Sequence, residues 1–172
     1  MLVQVTSTTN PEPIVSPALL IDQIKLLFKR VSLGSMSTTD DEGSPHINTA
    51  YLALSPRGYL CFISEKRAAH IRFLETRRQA AIAIWEAPSQ YGTGLRGGQF
   101  WANYVDGQRE VDEHAIETYF SRFPEADATG LATAMRRRDS VPSGLYALKL
   151  RRARCLFEDT FGRRNYIDCT IS

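Results

Sequence analysis

Apolar positions along this chain change period several times, and each change predicts an element. Leu20, Ile24, Leu27, Phe28 and Val31 recur at helical spacing behind Ser16-Pro17, a capping side chain followed by a first-turn proline, so a helix with one buried face is expected there. From Leu33 the pattern becomes that of strands. A first strand to Thr38, a turn over Asp40, Asp41, Glu42 and Gly43, and a second strand over 45–54 predict a hairpin. Ser55-Pro56-Arg57-Gly58 then leads into a third strand over 59–64, which would complete a meander. Residues 66–75 place Ile71 and Leu74 inward on a short helix, and the continuous apolar run over 79–85 is expected to be a fully buried strand.

The second half repeats the alternation. Residues 95–105 predict a long strand in which Gly97 and Gly98 allow close approach to the backbone. Asp112 is expected to cap a helix with Ile116, Tyr119, Phe120 and Phe123 on one face, stopped by Pro124. A weaker helix over 128–138, interrupted by Gly130, precedes strands over 145–150, 153–157 and 166–169. Residues 1–15, rich in Thr, Ser, Asn and Pro and without a period, read as a flexible arm able to wrap a second subunit, and 16–172 as one folded domain. About six strands with short hairpins and two helical regions point to a mainly β, closed or split antiparallel barrel flanked by helices.

Composition narrows the function classes. With 172 residues, 43% apolar and 23% charged, the chain is sized for one core, and a formal net charge of +2 gives no electrostatic footprint for nucleic acid or an anionic membrane. The longest apolar run, 80–85, is far shorter than the roughly 20 residues of a membrane helix, and the start lacks a basic-then-apolar leader. Cys61, Cys155 and Cys169 are an odd set without metal-like spacing, which suits a reducing compartment. A cytoplasmic location is therefore expected, with Cys61 in the core and Cys169, near the end, exposed.

Several chemistries lack their motifs. His46, His70 and His114 are not spaced as metal ligands, Ser64 and Ser121 have no nucleophile-elbow glycines, and no Gly-Lys-Ser/Thr follows Gly92, Gly94, Gly97 or Gly98. Arg136, Arg137 and Arg138 read as a solvated helix end, and Arg151, Arg152 and Arg154 as charges flanking a turn.

Taken in order, MSTTDDEGSPHINTAYLALSPRGYLCFISEKRAAHIRFLETRRQAAIAIW (36–85), LRGGQFWANYVDG (95–107), YFSRFP (119–124) and GLYALKLRRARCLFEDTFG (144–162) resemble the FMN-binding split-barrel superfamily, that is, pyridoxamine 5′-phosphate oxidase-like proteins, in a bacterial branch. The resemblance covers about residues 17–168. It implies a six-stranded antiparallel Greek-key split barrel acting as a homodimer, with two FMN molecules across the interface.

The resemblance also assigns positions. Lys66 and Arg67, at the start of the short helix, would hold the FMN phosphate; by themselves they equally fit a solvated helix end. His46, Ile47, Asn48 and Thr49 on the second strand would face the flavin edge, with Asn48 offering donor and acceptor to the uracil-like end. Phe62, Ile63 and Ser64 would run beside the ribityl chain, although Phe62 also fits ordinary core. Gln99 matches a glutamine that reaches the flavin from the other subunit, with Gly97 and Gly98 leaving room for a flat ring. Trp101 either stacks on the substrate side or fills a core gap.

The implied function is an FMN-dependent oxidoreductase moving a hydride between a small organic substrate or NAD(P)H and the flavin, with no essential protein nucleophile. The ending RRNYIDCTIS lacks the basic substrate motif of true pyridoxamine phosphate oxidases. Three alternatives stay open: haem at the same cleft on His46 or His70, a deazaflavin held with help from Arg72 and Arg96, and a cofactor-free protein with a specialised biosynthetic role.

Overall fold

A computed structural model describes residues 1–11, 14–88, 90–105, 113–137 and 139–172. Strand β1 (Val3–Thr8) comes first, so part of the segment expected to be a loose arm is a strand. Helix α1 (Pro17–Arg30) follows the proline signal. It buries Leu20, Ile24, Leu27 and Phe28, each worth about 1.5–3 kcal/mol in apolar burial. Lys29 and Arg30 in its last turn oppose the helix dipole.

Next come β2 (Leu33–Thr39), β3 (Pro45–Tyr51), the two-residue β4 (Ala53–Leu54) and β5 (Tyr59–Glu65). Helix α2 (Ala69–Arg77), β6 (Gln79–Glu86) and β7 (Arg96–Val105) complete the middle of the chain. A helical excursion of α3 (Glu113–Arg122), a 3-10 turn over Pro124–Asp127 and α4 (Leu131–Arg137) separates β7 from β8 (Ser143–Phe157). The short α5 (Glu158–Phe161) and β9 (Tyr166–Ile171) close it. Asp112 and Arg138 lie outside the described residues.

Among the described residues all pairings are antiparallel and belong to one nine-stranded sheet, which corrects the expected six. The main path is β1-β9-β8-β7-β6-β2-β3, and β5 pairs with β8 rather than with β3. The expected meander holds in part: β2 and β3 pair over their full length, and the 55–58 turn joins β4 to Leu60 and Cys61 of β5 as a short second hairpin, but β5 then runs along β8 at the far side of the sheet. Strand β8 makes this possible by its length. Its first half carries β5, its second half carries β9, and Arg151 is an extra residue between Trp101↔Arg152 and Ala102↔Leu150. Such a bulge bends a strand and strengthens its twist, which explains why one strand reads in the sequence as two. The resulting sheet curls from β5 through β8, β7, β6 and β2 to β3, and β3 and β5 share no ladder among the described residues.

The concave side holds the main core, from α1 through Met36, Phe62, Ile82, Phe100, Leu148 and Phe157. A second cluster lies on the opposite face of β5 and β8, where α3 packs Ala115, Ile116, Tyr119 and Phe120 against Cys61, Leu145 and Ala147. Cys61 is buried as expected, but so is Cys169, whose inward position on β9 puts it in the main core and raises its thiol to about 11, chiefly by burial. Strand β6 is also corrected: Ala80, Ile82 and Ile84 are buried while Ala81 and Trp85 are exposed, so only one of its faces is covered within the chain. No helix among the described residues is long and apolar enough to cross a membrane.

Candidate functional site

The candidate residues divide between the two faces of the curled sheet, because neighbours on a strand point to opposite sides. On β3, His46 and Asn48 are half-buried and Ile47 and Thr49 are exposed. On β5, Phe62 joins the main core, and Ile63 packs against the cluster under α3. On β7, Gln99 is exposed and Trp101 half-buried on the outer face.

The inner set meets α2 near the seam between β3 and β5. The His46 and His70 rings are nearly parallel with centroids 6.4 Å apart, and the Phe73 ring meets His46 edge-on at 5.4 Å. Ser64 Oγ lies 2.8 Å from His70 Nε2, a hydrogen bond whose direction follows the imidazole tautomer. Phe62 faces His70 at 6.4 Å and stacks on Tyr146 at 5.6 Å. Burial first, and then the neighbouring His46, lowers the pKa of His70, so its neutral form is favoured. Burial, assisted by Tyr104 and Glu75, pushes the Tyr146 phenol up to about 12, which keeps it protonated.

Asn48 stands two residues beyond His46 on the same face. Its Oδ1 is shut away from solvent and, among the described residues, has no hydrogen-bond partner, as is true of Thr38 Oγ1 on the neighbouring strand. An unmet buried acceptor costs about 1–3 kcal/mol, so this is where a ligand N–H would be most stabilising.

Lys66 and Arg67 lie in the exposed turn between β5 and α2, just before the helix rather than in its first turn. Ala68 supplies no side-chain cap to α2. Among the described residues neither cation pairs with a carboxylate. A helix start with free N–H groups and two nearby cations favours a phosphate.

The outer set is built differently. Ile47, Ser37, Ala81, Trp101 and Arg152 face one another across five strands, and Thr49, Ser35, Ala83, Gln99 and Arg154 form the next row. The space expected over Gly97 is not free, since any Cβ there would collide with the Trp85 ring. At Gly98 the Phe100 ring and Cys155 Sγ stand in contact with an added Cβ. Trp101 fills no core gap; the Arg152 guanidinium covers its ring at 3.8 Å. Gln99 needs no buried partner because it is exposed.

Other cations are committed elsewhere. Arg96, a candidate for extending a phosphate cleft, is buried and held by Glu86 at 3.2 Å and Gln23 at 2.6 Å. Arg72 lies over Phe73 at 5.0 Å. Arg154 forms an ion pair with Asp168 at 2.9 Å. Among the described residues no three His, Cys, Asp or Glu side chains are grouped to hold a metal ion. Phe73 and Tyr146 completed the inner cluster without any signal in the sequence, because their neighbours come from other elements.

No family model and no curated protein matches the chain. Solved structures do. A haem-binding protein from Mycobacterium smegmatis superposes with a TM-score of 0.67 at 17% identity, covering 92% of this chain and 60% of that one. The haem storage protein HutZ of Vibrio cholerae gives 0.58 at 21% identity, covering 75% and 88%. A pyridoxamine 5′-phosphate oxidase-related, FMN-binding protein from Nostoc punctiforme gives 0.57 at 13% identity, covering 90% and 91%. The chain therefore has the mainly β, antiparallel split-barrel fold shared by pyridoxamine 5′-phosphate oxidase-like and haem-binding proteins.

Proposed function

We propose that this protein is an FMN-dependent oxidoreductase that works as a homodimer, with the flavin phosphate at the turn between β5 and α2. The observation that carries the reading is the pair Lys66 and Arg67, without a carboxylate partner among the described residues, beside the uncapped start of α2. Ser64, next to the last residue of the strand that leads into that turn, would add a hydroxyl. The unmet Asn48 Oδ1 fits the imide N–H of a flavin ring. FMN, when bound, supplies hydride exchange with NAD(P)H or a small organic substrate. The chain's own groups would then bind and orient: two cations hold the anionic end and Asn48 fixes the ring edge. No side chain is required as a nucleophile.

The outer face supports the second subunit. Leu33, Ile47, Tyr51 and Trp85 are 47%, 69%, 54% and 39% exposed on adjoining strands, a larger apolar surface than scattered single residues would give. A second copy covering β3, β2 and β6 would bury it and bring the partner's Gln99 and Trp101 within reach of the site, which suits the isologous contact of a twofold dimer.

One observation favours a haem reading instead: two imidazoles face each other at the same seam, and burial keeps His70 neutral, the form that ligates iron. Against it, His70 Nε2 is already occupied by Ser64.

The deciding experiment is an absorbance spectrum of the purified protein from about 300 to about 700 nm, followed by FMN titration of the parent, Lys66→Ala and Arg67→Ala. Flavin bands, or FMN binding lost in either variant, support the proposal. A Soret band that His46→Ala or His70→Ala removes, with FMN binding absent, overturns it in favour of haem.

A further inference from the structure

A groove of about 490 Å³ opens on the other side of the molecule's main helix, between α1, β4 and α3, and it shares no residue with the site at β3, β5 and α2. Its volume falls in the range of small-molecule sites, roughly 300–1,000 Å³. Three cations converge on it from two elements: Lys25 and Lys29 one turn apart on α1, and Arg122 at the end of α3. None of its lining residues is acidic. Among the described residues none of these cations pairs with a carboxylate.

Lys29 alone would need no explanation, because a cation in the last turn of a helix is favourable. Arg122 is likewise a last-turn cation, of α3, but further contacts fix it. One of its terminal nitrogens donates to the Val31 carbonyl at 3.2 Å, and the Phe123 ring lies 5.2 Å from its central carbon, so the guanidinium is held in place. Its Nε is buried with no acceptor, and burial lowers the pKa of the group. A fixed, partly desolvated cation in a groove lined by two lysines and by no acidic residue is stabilised by an anion.

The remaining lining says what kind of anion. Thr118 and Ser121, on the α3 face of the groove, offer hydroxyl donors, and Phe28, Ala53 and Leu54 supply an apolar floor. Three cations and two hydroxyls exceed what one carboxylate can use, whereas a phosphate monoester has two charges and several acceptor oxygens. We infer that this groove is a second ligand site, which binds a phosphate monoester carrying a compact apolar group, with Lys25, Lys29 and Arg122 on the phosphate.

The test is calorimetric titration of the full chain with phenyl phosphate, inorganic phosphate and benzoate, in the parent and in Lys25→Glu, Lys29→Glu and Lys66→Ala. Both α1 substitutions fall on exposed positions, and thermal melting verifies that each variant is folded. Phenyl phosphate should bind the parent, and each α1 substitution should weaken it about tenfold or more while leaving FMN titration unchanged. Lys66→Ala should retain phenyl phosphate binding. Three results overturn the inference: no heat with phenyl phosphate up to about 10 mM, equal affinity for inorganic phosphate or benzoate, or binding abolished by Lys66→Ala and spared by the α1 variants. The last would place the ligand at the proposed cofactor phosphate site, so failure here and failure of the flavin reading remain distinguishable.

Discussion

The two halves of the curled sheet use the same alternation of side chains to different ends. At β5 and the first half of β8, both faces are buried: Leu60, Phe62 and Leu148 point into the main core, while Cys61, Leu145 and Ala147 point into the cluster under α3. At β3, β2 and β6 the inner residues are buried or half-buried, yet Ile47, Leu33, Ala81 and Trp85 on the other face stay exposed. The helical excursion between β7 and β8 covers one half, and among the described residues it touches the other where Phe123 meets Tyr51 edge-on at 5.4 Å. Exposed apolar residues on adjoining strands add little to the stability of a single chain, and they fit the proposed dimer.

The largest effect that would sharpen this contrast comes from placing the same substitution on each half. Ala147→Asp buries a carboxylate with no partner and should cost more than about 3 kcal/mol, read as a collapse of the urea midpoint. Ala81→Asp, on the bare face, should change the stability of the isolated chain by less than about 0.5 kcal/mol while converting the proposed dimer into monomers on light scattering. Equal destabilisation by both would break the comparison.

Next in size is Gly97→Ala. The Trp85 ring occupies the space above Gly97, so an added methyl must displace it, at a cost of about 1–3 kcal/mol with a change in tryptophan fluorescence. A neutral outcome would mean that Trp85 is not seated on the backbone. A smaller effect is expected of Lys66→Ala, which should weaken FMN by about tenfold without moving the melting temperature, since Lys66 is exposed and touches no core residue.

The smallest is a pH effect at the inner cluster. His70 has its pKa lowered from the ordinary 6.5, so between that value and its folded pKa the unfolded chain binds the extra proton. Stability contributed by neutral His70 is thus complete above about pH 6.5 and declines as pH falls through the window below it. His70→Gln should flatten that decline in urea melts between about pH 5 and about pH 8; an unchanged slope would assign the decline to other groups.

Local signals carried much of the fold. Ser16-Pro17 and the spacing of Leu20 to Phe28 located α1, and the Asp40 to Gly43 turn located the β2–β3 hairpin, because both depend on residues adjacent in sequence. Strand β6 shows where such reading fails. A run of Ala, Ile and Trp is equally apolar whether one face is covered or two, so burial on both sides could not be told from burial on one. Cys169 failed for a related reason: proximity to the chain end suggested exposure, but pairing with β1 and β8 turned it into the core. Lys66, Arg67 and Asn48 were legible as candidates only through a resemblance in order, while the contacts of His70 with Ser64, His46 and Phe62 join residues from three elements.

By itself, then, the chain determined the mainly β class and most of its elements, β1 excepted, since these follow from backbone propensity and short-range periodicity. Tertiary structure alone decided that β5 pairs with β8, that Trp85 sits on Gly97, that β3, β2 and β6 keep an open face, and that Lys25, Lys29 and Arg122 converge. These depend on which distant surfaces meet once the sheet curls, and no local pattern encodes that meeting.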